Sequence, residues 1–449
     1  MLAIANHESK VQEVKKMINE HMVELLHLQF VDIEGTLKQV TVTVEQLEDA
    51  IEGRIMFDGS SVIGFSPIHK SDLYLQPDLN TFAVLPWSIE TNYSEARFLC
   101  SVTNPNGTLF EGDTRNILKK SVERASKQGY TIFAGTELEF FLFQKDADGK
   151  ITNKTQDEAG YAAPSPNDLG EPVRLEICRA LKAIGFTIET THHERAIGQH
   201  EINFKFADVL EAADNAITYK WVVKTIAKKF GLHASFMPKP ISGVNGSGMH
   251  VNMSFFKGGQ NAFYDAYDDL QLSETAYQFI AGLMQNVKNF TAITNPLVNS
   301  YKRLIPGYEA PCYIAWSASN RSALIRIPAK KGNATRVELR CPDPSANPYL
   351  AFAVIASSGL DGVEKGLIPV DSINDDIFHM SKEVRMERGI EELPGSLEAA
   401  IEAFENGDIG LNVLGNHVFK EYISLKKSEW NHYRTVVHSW ELEQYQAKF

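Results

Sequence analysis

The sequence predicts an α+β protein of two domains, and three observations carry that expectation. The first hundred residues are β-rich, with LLHLQFV and LKQVTVTV flanking Glu34-Gly35 as a hairpin, followed by Phe98-Leu-Cys-Ser-Val102. A dense turn signal, Asn104-Pro-Asn-Gly107, then halts the β pattern. Beyond it helices alternate with strands, and the C-terminal segment is mostly helical. The boundary is accordingly placed at 1–107 and 108–449.

Individual elements have local reasons. Val11 to Glu24 has the periodicity of an amphipathic helix. Gly112-Asp-Thr-Arg opens a helix that runs to about Gln128, where Gly129 stops it. Four later segments alternate polar and apolar residues with period two, so each strand has one polar face. Glu137 and Glu139 oppose Leu138 and Phe140; Glu201 and Asn203 oppose Ile202 and Phe204. His250, Asn252 and Ser254 oppose Val251 and Met253; Arg336, Glu338 and Arg340 oppose Val337 and Leu339.

Composition narrows the partners. With 449 residues, 43% hydrophobic and 22% charged, the chain can bury a substantial core. A net charge of −13 argues against a nucleic-acid partner, which needs a basic footprint. Cys100, Cys178, Cys312 and Cys341 form no C-x-x-C pair, so neither a structural zinc nor a disulfide framework is expected. Neither a signal peptide nor an apolar run of about 20 residues is expected, which makes the cytoplasm the default and a membrane partner unexpected.

The polar strand faces are unusual in their chemistry. Solvated faces favour Lys, Thr and Ser, whereas these gather Glu137, Glu139, Glu201, His250 and Glu338, joined by Glu194 of Thr191-His-His-Glu194. Five carboxylates in one cavity repel unless cations neutralise them. An oxygen-rich set with one imidazole suits Mg²⁺ or Mn²⁺ rather than Zn²⁺, and points to a two-metal site. Arg303, Arg321, Arg326, Arg336 and Arg340 fall within 38 positions, and their guanidinium forks match carboxylate and phosphate. Divalent ions facing arginines is equipment for phosphoryl transfer, with ATP and an anionic acceptor as the simplest substrates. The stretch KPISGVNGSGMHVNMS places Gly243, Gly246 and Gly248 just before His250. It fits neither a Walker loop nor a dinucleotide loop, since Val251 stands where the latter needs its third glycine. Spacing alone does not name the acceptor.

Nine motifs together identify a resemblance. The KP…NGSGMH…Ser254 stretch, Phe57-Asp-Gly-Ser-Ser61, Gly135-Thr-Glu-Leu-Glu-Phe140, His192-His-Glu194, Gln199-His-Glu201, Asn299-Ser-Tyr-Lys-Arg303, Gly307-Tyr-Glu-Ala-Pro311, Asn320-Arg-Ser322 and Arg336-Val-Glu-Leu-Arg340 occur in order. The chain resembles the type I bacterial glutamine synthetase family over nearly its whole length, in its Gram-positive-like branch without adenylylation. The resemblance implies an N-terminal β-grasp domain and a catalytic domain with a curved antiparallel sheet flanked by helices. It implies ATP-dependent ligation of ammonia to the γ-carboxylate of glutamate through γ-glutamyl phosphate.

By position, the resemblance assigns Glu139, Glu194 and Glu201 to the ion nearer glutamate, and Glu137, His250 and Glu338 to the ion nearer ATP. Two or more Mg²⁺ are implied, with Mn²⁺ as a substitute. Asn245, Gly246, Arg303, Glu309 and Arg340 are implied to bind glutamate. Glu189, Asn252, Ser254, Arg321, Arg326 and Arg336 are implied to serve ATP and the moving phosphoryl group. Asp58, Ser61, Tyr161 and Glu194 form the implied ammonium site, with Asp58 supplied by a neighbouring subunit; Glu309 shields the acyl phosphate from water. Asp58, Glu309 and Arg321 are the implied catalytic set.

The family implies a cytoplasmic dodecamer of two hexameric rings, and leaves room for a transcriptional regulator as a partner. Departures from the pattern matter for control. Arg195-Ala-Ile197 replaces a Val-Ala-Pro run, and Asn203 stands where Asp is common. Phe378 lies where the adenylylated branch has its target tyrosine, and Pro67 lies where the feedback-inhibited branch has an arginine. Two other readings compete: a glutamate–polyamine ligase paralogue and a nitrogen-sensing regulatory partner. Intact Asp58-Gly-Ser-Ser61 argues against the first, and six intact metal-ligand positions argue against the second.

Overall fold

A computed structural model describes residues 2–88, 93–320 and 322–449; Arg321, one of the expected phosphoryl-facing residues, lies outside them. The N-terminal sheet has five strands, β1 (Val23–Val31), β2 (Leu37–Thr43), β3 (Ile55–Asp58), β4 (Asp72–Val84) and β5 (Ser94–Thr103). Their order is β2-β1-β5-β4-β3, with β1 and β5 parallel and the other pairs antiparallel. Alternation makes one face apolar, so Leu26, Leu28, Phe98 and Val102 pack with Val14 and Ile18 of the first helix. This is a mixed sheet grasping a helix.

That helix spans Leu2–Glu20 rather than Val11–Glu24. Met22 takes a left-handed φ of 49°, which ends the helix and turns the chain into β1, so Glu24 is a strand residue. The helix expected from Gly112 runs Thr114–Lys127, capped by Asp113, whose side chain accepts from Arg115 N.

The second sheet is built on a long strand, β6 (Tyr130–Lys145). Around it lie β7 (Ile151–Thr155), β8 (Ile188–His193), β9 (Gln199–Phe204), β10 (Ala207–Asp208), β11 (Leu232–Ser235), β12 (Met249–Lys257) and β13 (Gln260–Asn261). Short strands follow: β14 (Tyr313–Ile314), β15 (Trp316–Ser317), β16 (Ile325–Arg326), β17 (Val337–Leu339) and β18 (Glu391–Glu392). The main path is β15-β16-β17-β12-β6-β9-β8; β14 and β18 pair separately. Pairs along it are antiparallel except β15–β16. Of the expected strand from Thr335 to Arg340, three residues pair as β17.

Leu138, Phe140, Ile202, Phe204, Val251, Met253, Val337 and Leu339 all point to one face and are buried. They meet helices Val209–Lys229 and Pro348–Lys365 in the largest core cluster. Burying that apolar face fixes the alternate residues on the other side, and the functional positions follow from it.

Candidate active site

The register aligns the polar residues into a row across five strands. His250 on β12 stands opposite Glu137 on β6, and Asn252 stands opposite Glu338 on β17. Glu139 on β6 stands opposite Glu201 on β9, which in turn faces His192 on β8.

Two compact groups of ligand-type atoms result. Glu137, His250 and Glu338 bring theirs within 4.8 Å of one another, as do His192, Glu194 and Glu201. Glu139, though opposite Glu201, belongs to neither group: its Oε2 accepts from Gln199 Nε2 at 2.8 Å and from Gly248 N at 2.9 Å. His192 takes the third place beside Glu194 and Glu201, with Nε2 2.7 Å from Glu194 Oε1. Its signal was legible, since His192 and Glu194 are two apart at a strand end and share a face.

Electrostatics in this row are severe. Burial pushes Glu139 up to about 8, and the Glu194 charge adds to it. Burial also pushes Glu201 up to about 8, helped by Glu139, Glu137 and Glu194. Burial works the same way on Glu137, but the His250 hydrogen bond and charge outweigh it and hold that carboxylate down to about 2. Five carboxylates and imidazoles, clustered and partly desolvated, are a donor set that fits divalent cations with oxygen preference. Asn203 eases one contact by donating from Nδ2 to Glu201 Oε1 at 2.8 Å.

Arginines close the row at one end. Arg326 Nη1 donates to Glu338 Oε2 at 2.7 Å, and Arg340 Nε pairs with Glu338 Oε1 at 3.2 Å. Arg303 is buried, and backbone carbonyls hold it: Nη1 donates to Cys341 O at 2.6 Å and Nη2 to Arg340 O at 3.2 Å. Arg336 Nε donates to Asn252 Oδ1 at 3.0 Å.

A cavity of about 530 Å³ runs beside the row, lined by Glu137, Glu189, Asn252, Ser254 and Arg336. Four of the six expected ATP residues therefore share one space. Phe206 and Lys330 also line it. Neither was singled out from sequence, because both lie on connecting segments with no periodic signal. Phe206 stands edge-on to Phe133, ring centroids 5.9 Å apart, and is half exposed, so an aromatic surface faces the space.

The glycine-rich stretch is packed against the site. A Cβ on Gly246 would lie 2.2 Å from Pro238 O, and one on Gly248 would lie 2.7 Å from Arg303 Nη2. Only glycine lets the backbone come this close to Arg303 and His250. Asn245 Nδ2 donates to Glu309 Oε2 at 2.8 Å, and Arg195 pairs with the other oxygen. Glu309 itself has a φ of +58°, a left-handed conformation costly for a residue with a Cβ. Asn245, Gly246, Arg303 and Glu309 are thus brought together.

Tyr161 sits at the other end, edge-on to His192 at 5.4 Å. Asp58 and Ser61 do not join it within this chain. Asp58 accepts from Ser60 N at 2.9 Å, Ser60 Oγ at 2.6 Å and Ser61 Oγ at 2.7 Å, all in its own exposed turn after β3. Those bonds hold its carboxyl below the usual range, Ser60 foremost. Phe378 packs near Tyr313 at 6.2 Å, and Pro67 is exposed ahead of the short turn Ile68–Lys70. All four cysteines are free and buried. Among the described residues no helix is long and apolar enough to cross a membrane.

Known proteins match this chain over nearly its whole length. The family model described as "Glutamine synthetase, beta-Grasp domain" matches residues 22–105, and "Glutamine synthetase, catalytic domain" matches 111–445. A glutamine synthetase of Clostridium saccharobutylicum is 52% identical over 98% of this chain and 99% of its own length. One from Thermus thermophilus is 52% identical over 97% of this chain and 99% of its own. The solved structure titled "GmaS/ADP complex-Conformation 1" superposes with a TM-score of 0.87 at 30% identity, covering 96% of this chain and 99% of that one. The acidic row, its arginines and these matches agree: the chain belongs to the glutamine synthetase family.

Proposed function

We propose that the row from Glu338 to Glu194 is where this glutamate–ammonia ligase holds ATP and glutamate side by side. The enzyme is an ATP-dependent carbon–nitrogen ligase. A γ-carboxylate oxygen of glutamate attacks the γ-phosphorus, ADP leaves, and γ-glutamyl phosphate forms. The nitrogen of ammonia then attacks the acyl carbon, phosphate leaves, and glutamine results. One observation carries this reading: a row of carboxylates and imidazoles crosses five strands, with arginines at one end and a cavity beside it.

Residue roles follow from position. Glu137, His250 and Glu338 would hold the ion on the cavity side; Glu139, Glu194 and Glu201 would hold the one on the glutamate side. Mg²⁺, with Mn²⁺ as a substitute, supplies charge neutralisation and polarises phosphoryl oxygens when bound. Glu189, Asn252, Ser254 and Arg336 bind the nucleotide in the cavity. Arg326 and Arg321 face the phosphoryl group in flight, where fixed positive charge matters most. Arg303 and Arg340, with Asn245 and Gly246, take the glutamate. Glu309, pinned by Asn245 and Arg195, closes over the acyl phosphate and excludes water.

Ammonium binds between Tyr161, Glu194 and a neighbour's Asp58 and Ser61, and Asp58 accepts its proton. An Asp58 whose partners all lie in its own turn supports that arrangement between subunits. We extend the reading to a cytoplasmic dodecamer of two hexameric rings, with domains at 1–107 and 108–449. The charge of −13 supports no nucleic-acid partner, and a regulator protein remains a partner to test by pull-down.

The test is phosphate release from ATP with glutamate and Mg²⁺, comparing ammonium with putrescine as acceptor. Turnover that depends on glutamate and prefers ammonium supports the reading. Equal or better turnover with putrescine contradicts it.

A further inference from the structure

Behind the acidic row, on the opposite face of β8 and β9, lies a second polar cluster that the reaction does not use. Asp157, Asp168, His193 and His200 are all buried, their ligand-type atoms within 4.8 Å. This cluster needs no ion, because Arg174 already supplies the positive charge. Arg174 Nη1 lies 2.7 Å from Asp168 Oδ2 and 2.9 Å from His200 Nδ1. The Asp157 carboxylate accepts from Leu169 N at 3.0 Å and Gly198 N at 3.3 Å. Asp168 Oδ2 has only the Arg174 ion pair, with no hydrogen bond, and a buried polar network of this kind rigidifies the backbone that carries it.

His193 links that network to the site. Its Nε2 lies 3.0 Å from Asp157 Oδ1, and its Nδ1 lies 2.6 Å from the carbonyl oxygen of Glu194. Both partners accept, so both ring nitrogens donate. On the main chain, His193 O accepts from Ala162 N at 3.0 Å, and Glu194 N donates to Gln199 O at 2.7 Å. Ala162 follows Tyr161, whose ring stands against His192. One residue thus holds the Glu194 peptide with its ring and the Tyr161 loop with its carbonyl.

We propose that His193 is a positioning residue: anchored by Asp157, it aims the Glu194 carboxylate and seats Tyr161 at the ammonium end of the site. The inference rests on the roles proposed above for Glu194 and Tyr161. Partners behind ligating side chains orient them, and losing one costs on the order of tenfold in affinity or activity.

The test uses the full-length assembled enzyme with two readouts. One is kcat/KM for ammonium beside KM for ATP; the other is calorimetric binding of Mn²⁺ to the metal-stripped protein. His193→Phe keeps the ring but loses both bonds. It is expected to lower kcat/KM for ammonium about tenfold and weaken Mn²⁺ at one class of sites, with KM for ATP within about twofold. His193→Asn places an amide where Nδ1 stands and should stay within about threefold of wild type in both readouts. His193→Gln reaches only the Nε2 position and should perform worse than Asn; the reverse order would overturn the proposal, and this comparison decides should His193→Phe fail to assemble. A His193→Phe enzyme like wild type, or an Asn variant as defective as Phe, also overturns it. Glu194→Gln separates the two readings. If it changes neither readout, the Glu194 assignment fails; if it impairs both while His193→Phe impairs neither, the assignment stands and the positioning role fails.

Discussion

Glu137 and His250, 113 residues apart in sequence, face each other across the β6–β12 ladder with Oε2 and Nδ1 3.2 Å apart. Glu338 completes the group from β17, its Oε1 3.6 Å from the same His250 nitrogen. Their shared face is set by the burial of Leu138, Val251, Val337 and Leu339 behind them. Core packing and site geometry are therefore one arrangement seen from two sides.

Glu338→Ala removes an anionic ligand and leaves Arg326 and Arg340 without their shared carboxylate. ATP turnover should fall by roughly tenfold or more, with KM for glutamate changed far less. High Mn²⁺ should restore part of the loss. Steady-state kinetics at several Mn²⁺ concentrations check this, and unchanged ATP affinity and turnover would contradict the assignment.

Stability of the metal-free protein should depend on pH in a particular direction. Glu139 and Glu201 are pushed up to about 8 in the fold, well above an unfolded carboxyl. Between the unfolded and folded values the native state binds more protons, so unfolding free energy falls as pH rises through that window. A divalent cation between these carboxylates removes the penalty. Thermal denaturation should show a metal-free Tm that declines from pH 6 to pH 8, with Mg²⁺ raising Tm more at pH 8. An equal Mg²⁺ effect at both pH values would count against a cation at Glu139 and Glu201.

The strand faces were legible because period two is a local signal, and each strand needs only its own residues to state which side is buried. The hairpin at Glu34-Gly35 and the helix start at Gly112-Asp-Thr-Arg were legible because turn and helix-start signals are local too. Register was not, since nothing in Gly135–Phe140 says that Glu137 rather than Glu139 meets His250. The cluster behind the site was also hidden. Asp157 and His193 are 36 residues apart, and Asp157 lies in a loop without periodicity. Phe206 and Lys330 escaped notice because cavity lining by connecting segments is a tertiary property.

Asp58→Ala should weaken ammonium use severely while leaving ATP and glutamate binding nearly intact. Hydroxylamine, largely neutral at pH 7, already has a free lone pair and should lose less. Rates against concentration for both nucleophiles check this; equal proportional losses would mean that Asp58 shapes the site without handling the proton. Mixed oligomers of Asp58→Ala and Glu338→Ala subunits should recover activity, because some sites then pair an intact turn with an intact acidic row.

Control should be weak at two positions. Phe378 has no hydroxyl, so an adenylyltransferase should leave no AMP there by mass spectrometry. Pro67 carries no charge, so glutamine should inhibit this enzyme less than relatives with arginine at that place. Pro67→Arg should tighten inhibition, although proline's fixed φ ahead of Ile68–Lys70 makes some loop disturbance part of the outcome. Glutamine inhibition of the unaltered enzyme in the micromolar range, on the order of 8 kcal/mol of binding, would contradict this.

The proposed reaction depends on one sheet face holding two divalent cations. Anomalous diffraction at the manganese edge, from crystals grown with Mn²⁺ and ADP, tests it directly. Two peaks per subunit are expected, one among Glu137, His250 and Glu338 and one beside Glu194 and Glu201. A single peak, or a peak within the buried Asp157, Asp168, His193 and His200 cluster in place of either, would contradict it.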